Sequence, residues 1–232
     1  MRFDAPLKLG FLVRRYKRFL VDVEVPSCGV VTMHCPNTGA MTGCNNPGSR
    51  VWFSTSSSTK RKYAHTLEIV ESNGEHVCVH SARANAIVAE ALVLERIPEL
   101  RGLPVRREVK IPGASGRFDF RIGGELGDLT FVEVKCVTLC RGDQGAFPDA
   151  VSERAKRHVE ALLRCLRDGH RAVLLFCAPH TGIQSVSTAD DIHPEYGATV
   201  RKANSAGVEV LAYGCIVTPT EVTVDRPLPV FL

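Results

Sequence analysis

The chain has 232 residues, of which 44% are hydrophobic and 23% charged, with a formal net charge of +4. These values are ordinary for a globular protein and allow a sizeable core in one large or two small domains. No run of about 18 apolar residues occurs, so no transmembrane helix is expected, and Lys8, Arg14, Arg15, Lys17 and Arg18 interrupt the apolar stretch that a secretory leader needs, which favours the cytoplasm.

Nine cysteines is an odd number, in a chain too large to need a disulfide framework and without a Cys-x-x-Cys. Cys136 and Cys140, or Cys28, Cys35 and Cys44 near His34, lack a zinc spacing, so reduced and mostly buried thiols are expected. Charge is unevenly spread. Residues 1–65 hold ten Lys/Arg against three Asp/Glu, while residues 82–232 hold nineteen of each, so the N-terminal part is where a polyanion would dock.

Short β segments are predicted over 8–13, 19–25, 30–34, 50–54, 66–70 and 76–79, separated by Pro26, Pro36, Pro47 and several glycines. That spacing suggests a small barrel. Within it, Arg14-Arg15-Tyr16-Lys17-Arg18-Phe19 and Lys60-Arg61-Lys62-Tyr63 interleave cations with aromatics. The cations can neutralise phosphates and an exposed ring can stack on a base; the alternative is a solvated basic face with Phe19 in the core. The loop 35–43 is polar and glycine-containing. It either offers backbone N–H groups to a phosphate or simply closes the barrel.

From residue 82 the pattern alternates helix and strand, an α/β layer. Good helix formers fill 82–95, with Ile87, Ala91 and Leu94 as the apolar stripe, Glu90 beside it and Pro98 beyond the end. A strand follows at 105–109. Residues 116–137 then read as a hairpin, with Gly123, Gly124 and Gly127 in the turn. Glu133 and Lys135 share a face at a period of two, and the hairpin can bring Asp119 alongside. Two carboxylates and an ammonium on one sheet face are costly unless a divalent cation uses them, with the Lys orienting a water or balancing phosphate charge. The bland alternative is an exposed Glu/Lys pair.

The loop 139–148 contains Arg141 and Gln144. A helix is expected over 152–168, capped by Asp149 or Ser152, with Val159, Leu162, Leu163 and Leu166 buried and Gly169 as its stop. On it Arg154 and His158 share a face at i and i+4. Residues 171–178 read as a strand buried on both faces, 190–205 as a helical region broken by Pro194, 208–215 as another central strand, and 216–232 as an edge or tail.

Asp119 followed by Glu133-Val134-Lys135 resembles the PD-(D/E)xK nuclease motif, although Phe118 stands where the motif has proline. Arg15-Tyr16-Lys17-Arg18-Phe19-Leu20, His34-Cys35-Pro36-Asn37-Thr38-Gly39-Ala40-Met41, Lys60-Arg61-Lys62-Tyr63 and Phe147-Pro148-Asp149-Ala150-Val151-Ser152-Glu153-Arg154 resemble the sugar fermentation stimulation protein A (SfsA) family. The resemblance runs the length of the chain. It implies an α/β (α+β overall) protein with an OB-fold-like barrel over 1–81 and a PD-(D/E)xK restriction-endonuclease-like α/β domain over 82–232. It also implies DNA binding, with RNA not excluded, and an influence on sugar, particularly maltose, utilisation.

In that reading Asp119 and Glu133 hold Mg2+ or Mn2+, Glu90 assists from its helix, Asn85 is a weaker candidate, and Lys135 positions the attacking water. Arg14, Arg15, Lys17, Arg18, Lys60, Arg61, Lys62, Arg154 and Lys156 contact the nucleic-acid backbone. The competing reading is a non-catalytic DNA-binding regulator. No helix-turn-helix is apparent, and the oligomeric state, a dimer included, is left open.

Overall fold

The computed structural model describes residues 1–124 and 129–232; Gly127 of the expected hairpin turn lies outside the described residues. The first part is a barrel of β1 (Lys8–Tyr16), β2 (Leu20–Val25), β3 (Gly29–His34), β4 (Arg50–Thr55) and β5 (His65–Ser72). Its sheet runs β3-β2-β1-β4-β5, and the pair His34 with Thr66 joins β3 back to β5 and closes it. The OB-like barrel expected from the resemblance is therefore what forms. Alternating residues such as Leu12, Val21, Val23, Met33, Val51, Phe53 and Leu67 fill its interior. Phe19 departs from the alternative that buried it, since it lies on the β1–β2 turn and is half exposed. Strand β6 (Glu75–Cys78) extends from β5 toward the rest of the chain.

The second part is a six-stranded mixed sheet in the order β15-β14-β12-β9-β8-β7. Its strands are β7 (Val105–Lys110), β8 (Arg117–Ile122), β9 (Thr130–Cys136), β12 (Arg171–Ala178), β14 (Glu209–Val217) and β15 (Val222–Pro227). Strands β9, β12 and β14 are parallel and central, while antiparallel β8–β7 and β15 form the two margins. Helix α1 (Arg83–Val93) covers one face with Ile87, Val88 and Ala91 against Val132, Val134, Val173 and Leu175. Helices α2 (Glu153–Arg167) and α3 (Pro194–Ser205) cover the other, against Phe131, Leu174 and Phe176. With both faces covered, β12 reads as an unbroken apolar run.

Two expectations need correction. Residues 139–147 are a hairpin of β10 (Leu139–Arg141) and β11 (Gln144–Phe147), not a loop, and β11 continues through β13 (Ser185–Thr188) to β16 (Val230–Phe231) as a second, four-stranded sheet. The signal was the Gly142-Asp143 pair, a two-residue turn with Gly142 at φ 65°. Pro194 opens α3 instead of breaking a helix, because the first helical position needs no N–H. Residues 216–232 supply the margin strand β15 and the short β16, the edge that was expected.

The barrel and the sheet share a core. Met1, Leu7, Ile69 and Cys78 pack into the same cluster as α1 and the sheet, the Cys78 N–H donates to Pro179 O at 2.8 Å, and Val77 bridges His180. Buried Glu68 of β5 accepts both Nε and Nη2 of Arg83 on α1 at 3.1 and 2.8 Å. Burial pushes its carboxyl up, but hydrogen bonds from His80, Arg83 and Ser54 outweigh this and hold it at about 2.

Candidate metal centre and nucleic-acid groove

Asp119 sits where β8 parts from β9. The last described pair there is Phe120 with Val132, and on the other side Glu108 of β7, at φ 52°, breaks the pairing opposite Asp119. Side-chain alternation changes sides at this point: Phe120 and Ile122 enter the α1-side core, Phe118 the α2-side core. The freed Asp119 carboxylate fills the gap. Oδ2 accepts the Val134 backbone N–H at 2.7 Å and Oδ1 accepts the Asn85 side-chain amide at 2.5 Å.

Glu133 lies between Val132 and Val134, whose side chains enter the α1-side core, and it faces α2. Its Oε1 accepts from Lys135 Nζ at 2.5 Å and contacts Nδ1 of His158 on α2. Only 3% of Glu133 is exposed, and its Oε2 has no hydrogen-bond partner among the described residues. Burial and the neighbouring Glu133 push the Asp119 carboxyl up to about 6. For Glu133 burial also acts upward, yet the His158 hydrogen bond and the Lys135 charge outweigh it and hold the carboxyl low. Burial together with the Glu133 charge keeps the Tyr196 phenol protonated, and that hydroxyl too has no partner among the described residues.

A buried anionic oxygen without a donor is expensive, and a second carboxylate beside it adds repulsion. An oxygen-seeking divalent cation answers both, so Asp119 and Glu133 fit a Mg2+-like ion by donor chemistry. Glu90 does not belong to this set. It faces the opposite margin of the sheet, pairs with the Met1 ammonium, and lines a depression with Thr223 and Asp225 of β15. Asn85, five residues earlier, takes the place on α1 that faces β8. Five residues advance a helix by one full turn and about 140° more, which carries the two side chains to different margins.

A second acidic and histidine cluster joins the N-termini of α2 and α3, where ligand atoms of Glu153, His193 and Glu195 lie within 4.8 Å of one another. Its groups already serve one another. The Ser152 N–H donates to His193 Nδ1 at 3.3 Å, which places the ring proton on Nε2 facing Glu153, and Lys156 neutralises Glu195. Lys156 is thus committed to an ion pair. Ser152, not Asp149, is the cap of α2, accepting the Ala155 N–H at 3.2 Å.

The N-terminal cations divide by role. Arg15 braces a loop: Nη2 donates to the carbonyls of Arg18, Asn37 and Gly39 at 2.7, 2.8 and 2.9 Å, and Nη1 to Ala40 O at 3.3 Å. Arg14 bonds Asp22 at 2.8 Å above the Tyr16 ring, and Arg61 donates to Thr66 Oγ1 at 3.2 Å. Lys17, Arg18, Lys60 and Lys62 are exposed and make no ion pair among the described residues. Arg154 is exposed on α2 beside His158 and Gly116. Arg141 of β10 holds Asp191 through two hydrogen bonds of 2.7 and 2.9 Å.

The braced loop forms one wall of a groove of about 610 Å3; Lys135 and Cys136 lie in its floor and Pro148–Ser152 form the opposite wall. Asp149 ties the walls together, accepting the Met41 N–H at 3.3 Å. A Cβ on Gly39 would stand 2.2 Å from Asp149 Oδ2, so only glycine allows this approach. No sequence signal marks the Gly39–Asp149 contact, since 110 positions separate its partners.

A closed OB barrel joined to a mixed α/β layer defines a two-part class of protein. Both parts match family descriptions: "SfsA N-terminal OB domain" over residues 13–79 and "Sugar fermentation stimulation protein RE domain" over residues 82–221. The chain belongs to the sugar fermentation stimulation protein (SfsA) family. It is 48% identical over 234 residues to the sugar fermentation stimulation protein homolog of Hahella chejuensis, covering 99% of this chain and 97% of that one. It is 46% identical over 234 residues to the homolog of Shewanella loihica, covering all of both. Among solved structures, Pyrococcus furiosus SfsA in complex with Ca2+ superposes with a TM-score of 0.89 at 25% identity, over 100% of this chain and 98% of that one. No described helix is long and apolar enough to cross a membrane.

Proposed function

We propose that this chain binds DNA and hydrolyses phosphodiester bonds at a divalent-metal centre held by Asp119 and Glu133. The observation that carries the proposal is the buried Glu133 Oε2, without a hydrogen-bond partner among the described residues, beside a second carboxylate and Lys135. The Ca2+ complex of the Pyrococcus furiosus relative supports a hard cation, because Ca2+ and Mg2+ both select oxygen donors. When bound, such an ion supplies Lewis acidity toward a phosphate oxygen and lowers the pKa of a bound water.

The chain's own residues do the positioning. Asn85 and the Val134 N–H orient the Asp119 carboxylate, and His158 and Lys135 hold Glu133 by Oε1, leaving Oε2 clear. The Lys135 ammonium lines the groove, where it balances phosphate charge and orients water. Lys17, Arg18, Lys60 and Lys62 supply sequence-independent affinity for the backbone.

Cleavage of labelled DNA in Mn2+ or Mg2+, with a chelator control and Glu133→Gln beside the wild type, tests the proposal. Metal-dependent cutting lost in the variant is the expected result. Equal cutting by a folded Glu133→Gln protein would overturn the assignment.

A further inference from the structure

The groove at Lys135 is bounded by both parts of the molecule, and its size and rigidity bear on the form of nucleic acid that reaches the centre. Resting on the proposed function above, we propose that the groove admits one unpaired strand of DNA and excludes the duplex.

At about 610 Å3 the groove falls within the range that encloses a small ligand, the scale of a nucleotide or two. A duplex carries its backbones on the outside of a stacked cylinder. To bring a phosphate to Lys135 it would have to drive both strands between the loop of residues 37–40 and the segment of residues 147–152. Those walls do not part freely. Arg15 braces the loop through the carbonyls of Asn37, Gly39 and Ala40, Asp149 ties it to the opposite wall, and Ile69 of the barrel and Cys78 of β6 are buried in the core of the α/β layer. Opening the groove would break that shared core.

The lining suits a single strand. Arg18 and Lys135 offer positive charge to the backbone, and the hydroxyls of Thr38 and Ser152 offer hydrogen bonds to phosphate or sugar. Phe147, half buried against Tyr196 with ring centroids 5.3 Å apart, and exposed Val151 give an apolar surface for bases that pairing would hide in a duplex.

The test is fluorescence anisotropy in chelator with three probes of about 12 nucleotides: single-stranded DNA, the same sequence closed as a hairpin duplex, and single-stranded RNA. Single-stranded DNA is expected to bind about tenfold or more tightly than the duplex. Ala40→Trp, an exposed position on the loop wall, and Ala150→Trp on the opposite wall would each narrow the groove and remove that difference, while Ala40→Ser would keep it. Duplex binding as tight as single-strand binding, or selectivity untouched in both Trp variants, would overturn the inference and leave the proposed function standing. Absence of binding to every probe by folded protein would overturn the function itself. Equal binding of single-stranded RNA would support the unpaired strand and overturn the restriction to DNA.

Discussion

Asp119 accepts the Val134 backbone N–H at 2.7 Å, one residue past Glu133, so a side chain takes the place of a strand pair at the point where β8 and β9 separate. That substitution holds the two carboxylates in one small volume with a single amide, Asn85, on the outer oxygen. Asn85→Ala is therefore expected to weaken Mn2+ binding by about tenfold, in the range seen for residues that orient a metal ligand. Isothermal titration would read it, and unchanged affinity would mean that Asn85 does not position Asp119.

Glu90 should behave differently. Glu90→Ala is expected to leave Mn2+ affinity and cleavage within about twofold of wild type, because its carboxylate pairs with the Met1 ammonium at the far margin of the sheet. Its effect is expected on stability, about 1 kcal/mol or less for a partly exposed ion pair. A large loss of metal binding in this variant would return Glu90 to the centre.

The Glu68 network predicts a pH dependence. Its carboxyl is held at about 2 against an ordinary 4.5, so the unfolded chain takes up this proton first as pH falls. The associated stability is complete above 4.5 and is lost progressively toward 2, at most about 3 kcal/mol in all. Denaturant unfolding of wild type and Glu68→Gln at several pH values checks this. The stability gap between them should shrink as pH falls below 4.5, and a constant gap would contradict it.

Gly39→Ala places a methyl group against the Asp149 carboxylate, with the nearest oxygen at 2.2 Å. Overpacking of this kind costs about 1–3 kcal/mol. Because Asp149→Ala removes every atom in that collision, the double variant should recover part of the loss, a coupling measurable in a double-mutant cycle. Strictly additive effects would show that the loop relieves the clash by itself.

The cations separate into braces and free charges. Lys60→Ala and Lys62→Ala together should weaken DNA binding for all sequences and reduce the slope of log affinity against log salt by about 1 for each lysine that neutralises a phosphate. Arg15→Ala should instead lower the melting temperature, since its guanidinium donates to four carbonyls. Similar salt slopes in the wild type and the double Lys variant would move the binding surface elsewhere.

Much of this was readable along the chain. Proline and glycine spacing marked the barrel strands, the apolar run Ala172–Ala178 marked a strand covered on both faces, and the period of two around Glu133 and Lys135 marked a sheet face carrying charge. Such patterns are local: they follow from side-chain direction in a strand or helix and need only neighbouring residues. The Asp119-to-Lys135 hairpin belongs here too, because its partners are close in sequence.

What only the tertiary structure decided are the relationships between distant segments. Which helix residue faces Asp119 depends on the rotation of α1 against the sheet, and that selected Asn85 over Glu90. Whether a cation is free depends on the acid or carbonyl that folding brings to it: Arg15, Lys156 and Arg141 are engaged, while Lys60 and Lys62 make no ion pair among the described residues. The groove itself has walls from residues 37–40 and 147–152. Chain statistics carry no register between such segments, and packing of the shared core fixes their distance.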